Sequence, residues 1–268
     1  MIASLSSSEG SSVSAQDFVH VLKGIRGFSL DLVVFRVSDT GIYLQGMDGS
    51  HICLFELQFN KKDLSQFEYS EKKDLAVIAV TPTALDKALA CFQSGQDLTI
   101  DTKGKSPTSI GFTFAGGGKG CLDKSISIPI HHADGETLLT IPEVEYDIDL
   151  NTGSKCLSNI TEQLALFGDR TTIHCNNEVM KFSCSGDHGS INITLDDEKD
   201  DDMEYAIVED LELKQLYNMR FMKLITGFSG IRKHVYMGLK DDSPLSIRYT
   251  LSDEGSHLQF YLAPCIEN

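Results

Sequence analysis

The sequence predicts an α+β chain made of two duplicated domains, each with two helices packed on mostly antiparallel sheets. Three observations predict it. Apolar residues recur at helical spacing in four separate places, with short alternating runs between them. The order helix, strands, helix, strands occurs twice, and the second copy is offset by roughly half the chain, too far for a solenoid period. Finally, 268 residues with 41% hydrophobic content suffice for two cores.

Residues 1–14, "MIASLSSSEGSSVS", lack the basic start and apolar centre of a secretory signal, and their Ser/Gly content reads as a disordered tail. The first domain is expected over 15–126. It opens with a helix at "AQDFVHVLKGIRGF", where Phe18, Val21, Leu22 and Ile25 form one apolar stripe. Strands follow at "LVVFRVSD", "GIYLQGMD" and "SHICLFELQF", with an Asp-Gly turn between the last two. A second helix is expected at "TPTALDKALACF", with Thr81 as cap and Pro82 at the first position. "DLTIDT" and "SIGFTF" read as further strands.

A connector is expected over 127–145. It has prolines, a glycine and charges, yet Leu138, Leu139 and Ile141 are apolar, as in a segment that lies against something or binds something. The second domain, 146–268, repeats the order. Leu157, Ile160, Leu164 and Phe167 make the stripe of its first helix. Strands follow at "TTIHCN", "VMKFSCSG" and "SINITL", and a helix is expected over 213–228, "LKQLYNMRFMKLITGF". "KHVYMGLK", "LSIRYTLSD" and "LQFYLAP" close the chain as strands, and the acidic run at 196–204 reads as a solvated loop.

No apolar run reaches about 18 residues, so no membrane span is expected. Seven cysteines, odd in number and without a CxxC pair, suggest buried thiols in a reducing compartment. The net charge of −16 argues against nucleic acid for the chain as a whole. Charge on one face is a separate matter, so the placement of the Lys and Arg residues decides the question.

Several chemical motifs fail on inspection. "AGGGKG" lacks the GxxxxGK[ST] frame and follows a strand without opening a helix, so it reads as a glycine turn. His174, Cys175, Cys184 and His188 match no zinc spacing. Asp187 and His188 near Ser190 have no third group to orient them. No catalytic residue, metal site or cofactor is expected, and the chain reads as a non-enzyme.

Four segments carry a family likeness. "GIYLQGMDGSHICLFELQF", "FGDRTTIHCNNEVMKFSCSGDHGSINITL", "IPEVEYD" and "PLSIRYTLSDEGSHLQFYLAPCIEN" resemble, in order, segments of the proliferating cell nuclear antigen family of DNA sliding clamps. The likeness runs from about residue 15 to the end, and the LAP-x-IE ending is its most specific piece. It implies the DNA-clamp fold. Three subunits would form a pseudo-six-fold ring, a homotrimer, with helices lining a channel for double-stranded DNA. Subunits would pair through sheet edges near 119–126 and 188–195. Location would be nuclear, or a viral replication compartment for a viral member.

The resemblance also implies two sets of site residues. On the solvent faces of the helices lie His20, Lys23, Arg26, Lys87, Lys155, Arg220 and Lys223, of which Arg26, Lys87 and Arg220 match the family's channel cations; the whole is a DNA-binding set that would contact phosphates without reading bases. Asn159 and Glu162 stand where the family carries arginines, and Ala90 and Gly227 where it carries lysines. Ordinary solvated helix faces would carry the same cations. The second set is a partner-binding groove of Met47, His51, Ile52, Leu54, Leu139, Ile141, Pro244, Tyr261, Ala263 and Pro264. Cys265, Ile266 and Glu267 would pair with a partner's backbone beside it. DNA polymerase, flap nuclease, ligase and clamp loader would dock there through short peptide motifs. As single residues, these side chains would equally suit a domain core.

The implied function is a processivity factor for DNA replication and repair. The alternatives are a clamp-like scaffold that serves as a transcription or assembly factor, or one subunit of a heterotrimeric checkpoint ring. The thinned cation set favours a scaffold, and the complete groove favours a clamp.

Overall fold

A computed structural model of the chain describes residues 1–6, 13–69, 76–102, 107–133, 138–195 and 202–266. Contacts divide it into two compact units, neither contiguous in sequence. Unit 1 holds residues 1–49, 56–139 and 250–258, and unit 2 holds 50–55, 140–249 and 259–268.

In unit 1 the strands are β1 (Ile2–Leu5), β2 (Val33–Ser38), β3 (Gly41–Met47), β4 (Cys53–Asn60), β5 (Gln66–Glu68), β6 (Ala76–Val80), β7 (Gln96–Asp101), β8 (Ser109–Gly116) and β9 (Lys124–Pro129). Helices α1 (Ala15–Gly24) and α2 (Pro82–Ala90) lie among them, with 3-10 turns at Ile25–Phe28 and Lys61–Asp63. One sheet runs β5-β1-β7-β8-β9, and β4, β3, β2 and β6 lie side by side in another. The pairing is antiparallel, with Ile100 opposite Phe112 and Val34 opposite Ala79.

Both helices start at a capping side chain. Ser14 accepts from the Asp17 amide at 3.1 Å while the Ser14 amide donates to the Asp17 carboxylate at 3.2 Å, a reciprocal capping box. Thr81 caps α2 by accepting from the Ala84 amide at 3.3 Å. The α1 stripe is fully buried, and Phe18 packs on Phe59 with ring centroids 4.7 Å apart. Burying one such ring contributes roughly 2–3 kcal/mol. Gly41 holds a φ of 141°, and a Cβ there would sit 2.0 Å from the Phe59 carbonyl oxygen. No side chain fits between those strands.

In unit 2 the strands are β10 (Ile148–Gly153), β11 (Arg170–Cys175), β12 (Met180–Gly186), β13 (Gly189–Leu195), β14 (Glu204–Ile207), β15 (Leu213–Asn218), β16 (His234–Leu239), β17 (Leu245–Thr250) and β18 (His257–Leu262). Its helices are α3 (Ser154–Leu164) and α4 (Met219–Thr226). β14-β10-β16-β17-β18 and β13-β12-β11-β15 give the two strand orders. Phe228, Tyr249 and Phe260 form an aromatic core, with the Phe228 and Phe260 centroids 5.3 Å apart. The Tyr249 hydroxyl donates to the Ile225 carbonyl at 3.1 Å, so its polar tip is satisfied inside that core. Between α3 and α4 the buried hydroxyls of Thr161 and Thr226 meet at 2.7 Å.

Several expectations are corrected. Residues 1–6 are not the start of a disordered tail. Ile2–Leu5 is a strand between β5 and β7, with Ala3 and Leu5 fully buried. Composition misled because four residues of alternating Ile, Ala, Ser and Leu are diluted by the serines after them. Residues 7–12 lie outside the described residues, as do 134–137 of the connector and most of the acidic run.

The helix expected over 213–228 begins only at Met219. Residues 213–218 alternate buried and less buried as β15 and pair with β11. Asn218 then caps α4, accepting from the Arg220 amide at 2.9 Å. Leu213, Leu216 and Tyr217 fit helical spacing, while Leu213, Gln215 and Tyr217 form the buried face of a strand, and the partner strand decides between the two. Likewise α3 stops at Leu164 and leaves Phe167 half-buried beyond it. The edge segments also shift: β9 starts at Lys124, after the glycine turn, and β13 spans Gly189–Leu195. Each ends its sheet's strand order.

Candidate functional site

All seven residues of the expected DNA-binding set are exposed. On α1, Phe18, Val19, Val21 and Leu22 turn inward, which leaves His20 and Lys23 on the free face, with Arg26 one 3-10 turn further on. Lys87 is exposed beside the buried Leu85, Ala88 and Leu89 of α2. On α4, Met219, Phe221, Met222, Ile225 and Thr226 are buried, and Arg220 and Lys223 are left outside. The Arg220 guanidinium lies 5.3 Å from the Phe221 ring centroid, a cation–π contact that steadies it. Lys155 is the one cation of α3, whose exposed face otherwise holds Asn159, Glu162 and Gln163.

Arg26 is not a bare charge. Its Nη1 sits 2.9 Å from the Asp86 Oδ2 on α2. The sequence reading did not include Asp86. It lies one residue before Lys87 on the same helix, which is the only signal the sequence offers.

None of the ten groove residues belongs to the buried core. In unit 1, Tyr43, Gln45 and Met47 line one face of β3, while Ile42 and Leu44 are buried on the other. The Gln45 side chain grips the connector: its Nε2 donates to the Leu139 carbonyl at 2.9 Å and its Oε1 accepts from the Leu139 amide at 2.8 Å. The Leu138 and Leu139 side chains stay 47% and 45% exposed.

In unit 2, the Ala263 amide donates to the Ile52 carbonyl at 2.9 Å, and the Cys265 amide to the Leu216 carbonyl at 2.7 Å. These two bonds staple the end of the chain. Tyr261, Ala263 and Pro264 stay half-buried and Ile266 is 85% exposed. Leu54 and Ile141 are half-buried, and His51 and Pro244 are exposed. His51, not Gly49, takes the left-handed conformation of the turn, with φ 59°. The Cys265 amide is committed to Leu216. Glu267 lies outside the described residues.

The chain matches the family model described as proliferating cell nuclear antigen, N-terminal domain, over residues 12–130, and its C-terminal counterpart over residues 140–265. The chain belongs to the proliferating cell nuclear antigen family. Among curated relatives, the proliferating cell nuclear antigen of Chaetomium thermophilum is 28% identical over 253 residues, covering 92% of this chain and 95% of that protein. That of Dictyostelium discoideum is also 28% identical, over 237 residues, covering 87% and 90%.

Within this member of the family, Gln45 was missed by sequence reasoning although it lies two residues from Met47, on the same face of the same strand. Behind it stand further polar groups of unit 1. Gln45 Nε2 also reaches the Tyr43 hydroxyl at 3.3 Å, and Tyr43 donates to Glu56 Oε2 at 3.1 Å. His257 Nε2 lies 3.8 Å from Glu56 Oε1. Burial, and then the Glu56 carboxylate, push the Tyr43 phenol well above its ordinary value. Among the described residues, no group of three or more metal-ligating side chains converges, and no helix is long and apolar enough to cross a membrane.

Proposed function

We propose that the protein is a DNA sliding clamp, a processivity factor whose three identical copies close around duplex DNA. The observation that carries this reading is the family match over both halves of the chain. Three features support it. Exposed basic residues lie on all four helices among the described residues, in a chain whose net charge is −16. Free edges at β9 and β13 offer two different surfaces for head-to-tail pairing, which closes into a ring when the rotation allows. A lasso also needs no base readout, which suits helix cations reaching only phosphate.

In this reading, Met47, Leu139 and the unit 2 set around Ile52, Tyr261, Ala263 and Pro264 receive short peptides from polymerase, flap nuclease, ligase and clamp loader. No reaction is catalysed, and the site of action is the nucleus. In solution, the expected mass is three times the 29.5 kDa of one chain. On nicked circular DNA the loaded protein should stay bound and be released when the circle is linearised. A monomeric mass, or retention indifferent to linearisation, would sink the reading.

One observation favours a clamp-like scaffold that does not encircle DNA. Of the four helices, α3 offers Lys155 against Glu162, and Arg26 is paired with Asp86. A trimer that fails to be retained on circular DNA would decide for the scaffold.

A further inference from the structure

We propose that Gln45 is a positioning residue for the connector, and that Glu56, acting through Tyr43, sets which way the Gln45 amide points. Leu139 presents one N–H and one C=O to β3. A glutamine amide matches that pair in only one of its two orientations. The observed one places Nε2 at the Leu139 carbonyl and Oε1 at its amide, 2.9 and 2.8 Å away. The flipped amide would set donor against donor and acceptor against acceptor.

Leu139 selects the observed orientation once the connector is in place; Tyr43, the neighbour of Gln45, favours the same one whether or not the connector is docked. A phenol both donates and accepts, so alone it would tolerate either end of the amide. Here the Tyr43 proton is committed to Glu56 Oε2 at 3.1 Å, because a carboxylate only accepts. The phenol oxygen is left as an acceptor, and it takes the Gln45 Nε2 at 3.3 Å. Burial and the nearby carboxylate hold the phenol protonated far above neutral pH, so it remains a donor to Glu56. His257 on β18 faces the other Glu56 oxygen at 3.8 Å, and Arg36 on β2 stands directly across from Tyr43. The His257 Nδ1 is occupied by the Gly255 carbonyl at 2.9 Å, which turns Nε2 toward Glu56.

The result is a relay of donor sense from Glu56 through Tyr43 and Gln45 to Leu139. It pins the connector backbone while the Leu138 and Leu139 side chains stay exposed. The consequence for partner docking rests on the proposed groove; the latch does not.

The test is hydrogen exchange at the Leu139 amide in the full-length protein, alongside binding of a short labelled peptide bearing an aliphatic and an aromatic anchor one helical turn apart. Gln45→Ala should speed exchange at Leu139 about tenfold. Tyr43→Phe and Glu56→Gln, which leave Gln45 in place, should each speed it several-fold, with exchange in α3 and α4 unchanged. Gln45→Met keeps the side-chain volume and serves if the alanine variant does not fold. Parent-like exchange in Gln45→Ala or Gln45→Met overturns the latch. Parent-like exchange in both Tyr43→Phe and Glu56→Gln overturns the relay. If exchange rises in all three while peptide affinity stays constant, the latch stands and the groove reading fails.

Discussion

Arg26 and Arg220 look equivalent in sequence, each a cation off a helix stripe, yet their surroundings differ. Arg26 spends its charge on Asp86 at 2.9 Å, while Arg220 rests on the Phe221 ring and has no ion-pair partner among the described residues. If the helices face DNA, Arg220→Gln should lower the slope of log affinity against log salt by about 1, the share of one phosphate contact. Arg26→Gln should change it less. Asp86→Asn should raise it by about 1, because it frees Arg26. Anisotropy titrations on a short labelled duplex, between about 50 and 200 mM salt, read all three. An Asp86→Asn variant that binds no more tightly than its parent would show that Arg26 does not face the phosphates.

The elements differ in where their stability comes from. β1 has hydrogen-bond partners on both sides, with Ala3 opposite Phe67 on β5 and Ile100 on β7. Deleting residues 1–5 would strip both neighbours of a ladder and remove the buried Ala3 and Leu5 side chains from the core, a loss of roughly 3 kcal/mol or more. Urea unfolding should show unit 1 melting earlier while unit 2 keeps its midpoint. In unit 2, α3 and α4 share the buried Thr161–Thr226 contact, and each hydroxyl also reaches a carbonyl one turn back, Ser158 and Met222, at 2.9 Å. Two protons serve three bonds, so the pair is coupled. Thr161→Val should cost about 1–2 kcal/mol, and the double valine variant less than the sum of the singles.

At the scale of the whole molecule, the buried titratable groups set the alkaline limit of stability. Burial pushes the Cys175 thiol up from 9.0 to about 12, and the Tyr217 and Tyr249 phenols well above 10.0. The folded chain therefore keeps protons that the unfolded chain releases above about pH 9. Their contribution is fully present below that pH and is lost as pH rises through the folded values, at up to about 1.4 kcal/mol per pH unit for each group. The urea midpoint should be level from about pH 7 to 8.5 and fall beyond it, and Cys175→Ala should soften the first part of the fall. A midpoint that climbs above pH 9 would contradict the burial of these groups. Another long-range tie is Asp63, buried, which accepts from the hydroxyls of Ser252 and Ser256 at the far end of the sequence. No pattern around Asp63 announces it, since Lys61 and Lys62 beside it read as an exposed polar turn.

The sequence by itself determined what local spacing can encode: the duplicated order, the apolar stripes of α1 and α3, the Thr81–Pro82 start of α2, the free faces that carry the cations, and the family likeness. A helix draws its hydrogen bonds from its own neighbours, so three- and four-residue periodicity and a capping side chain suffice to announce it. Only the tertiary structure decided the rest. β1 and β15 are strands because β5, β7 and β11 supply the other half of their ladders, and a four- or six-residue segment does not carry that information. The same holds for Arg26 with Asp86 and for Gln45 with Leu139. Those contacts join residues distant in the chain, and the folded backbone alone makes them neighbours.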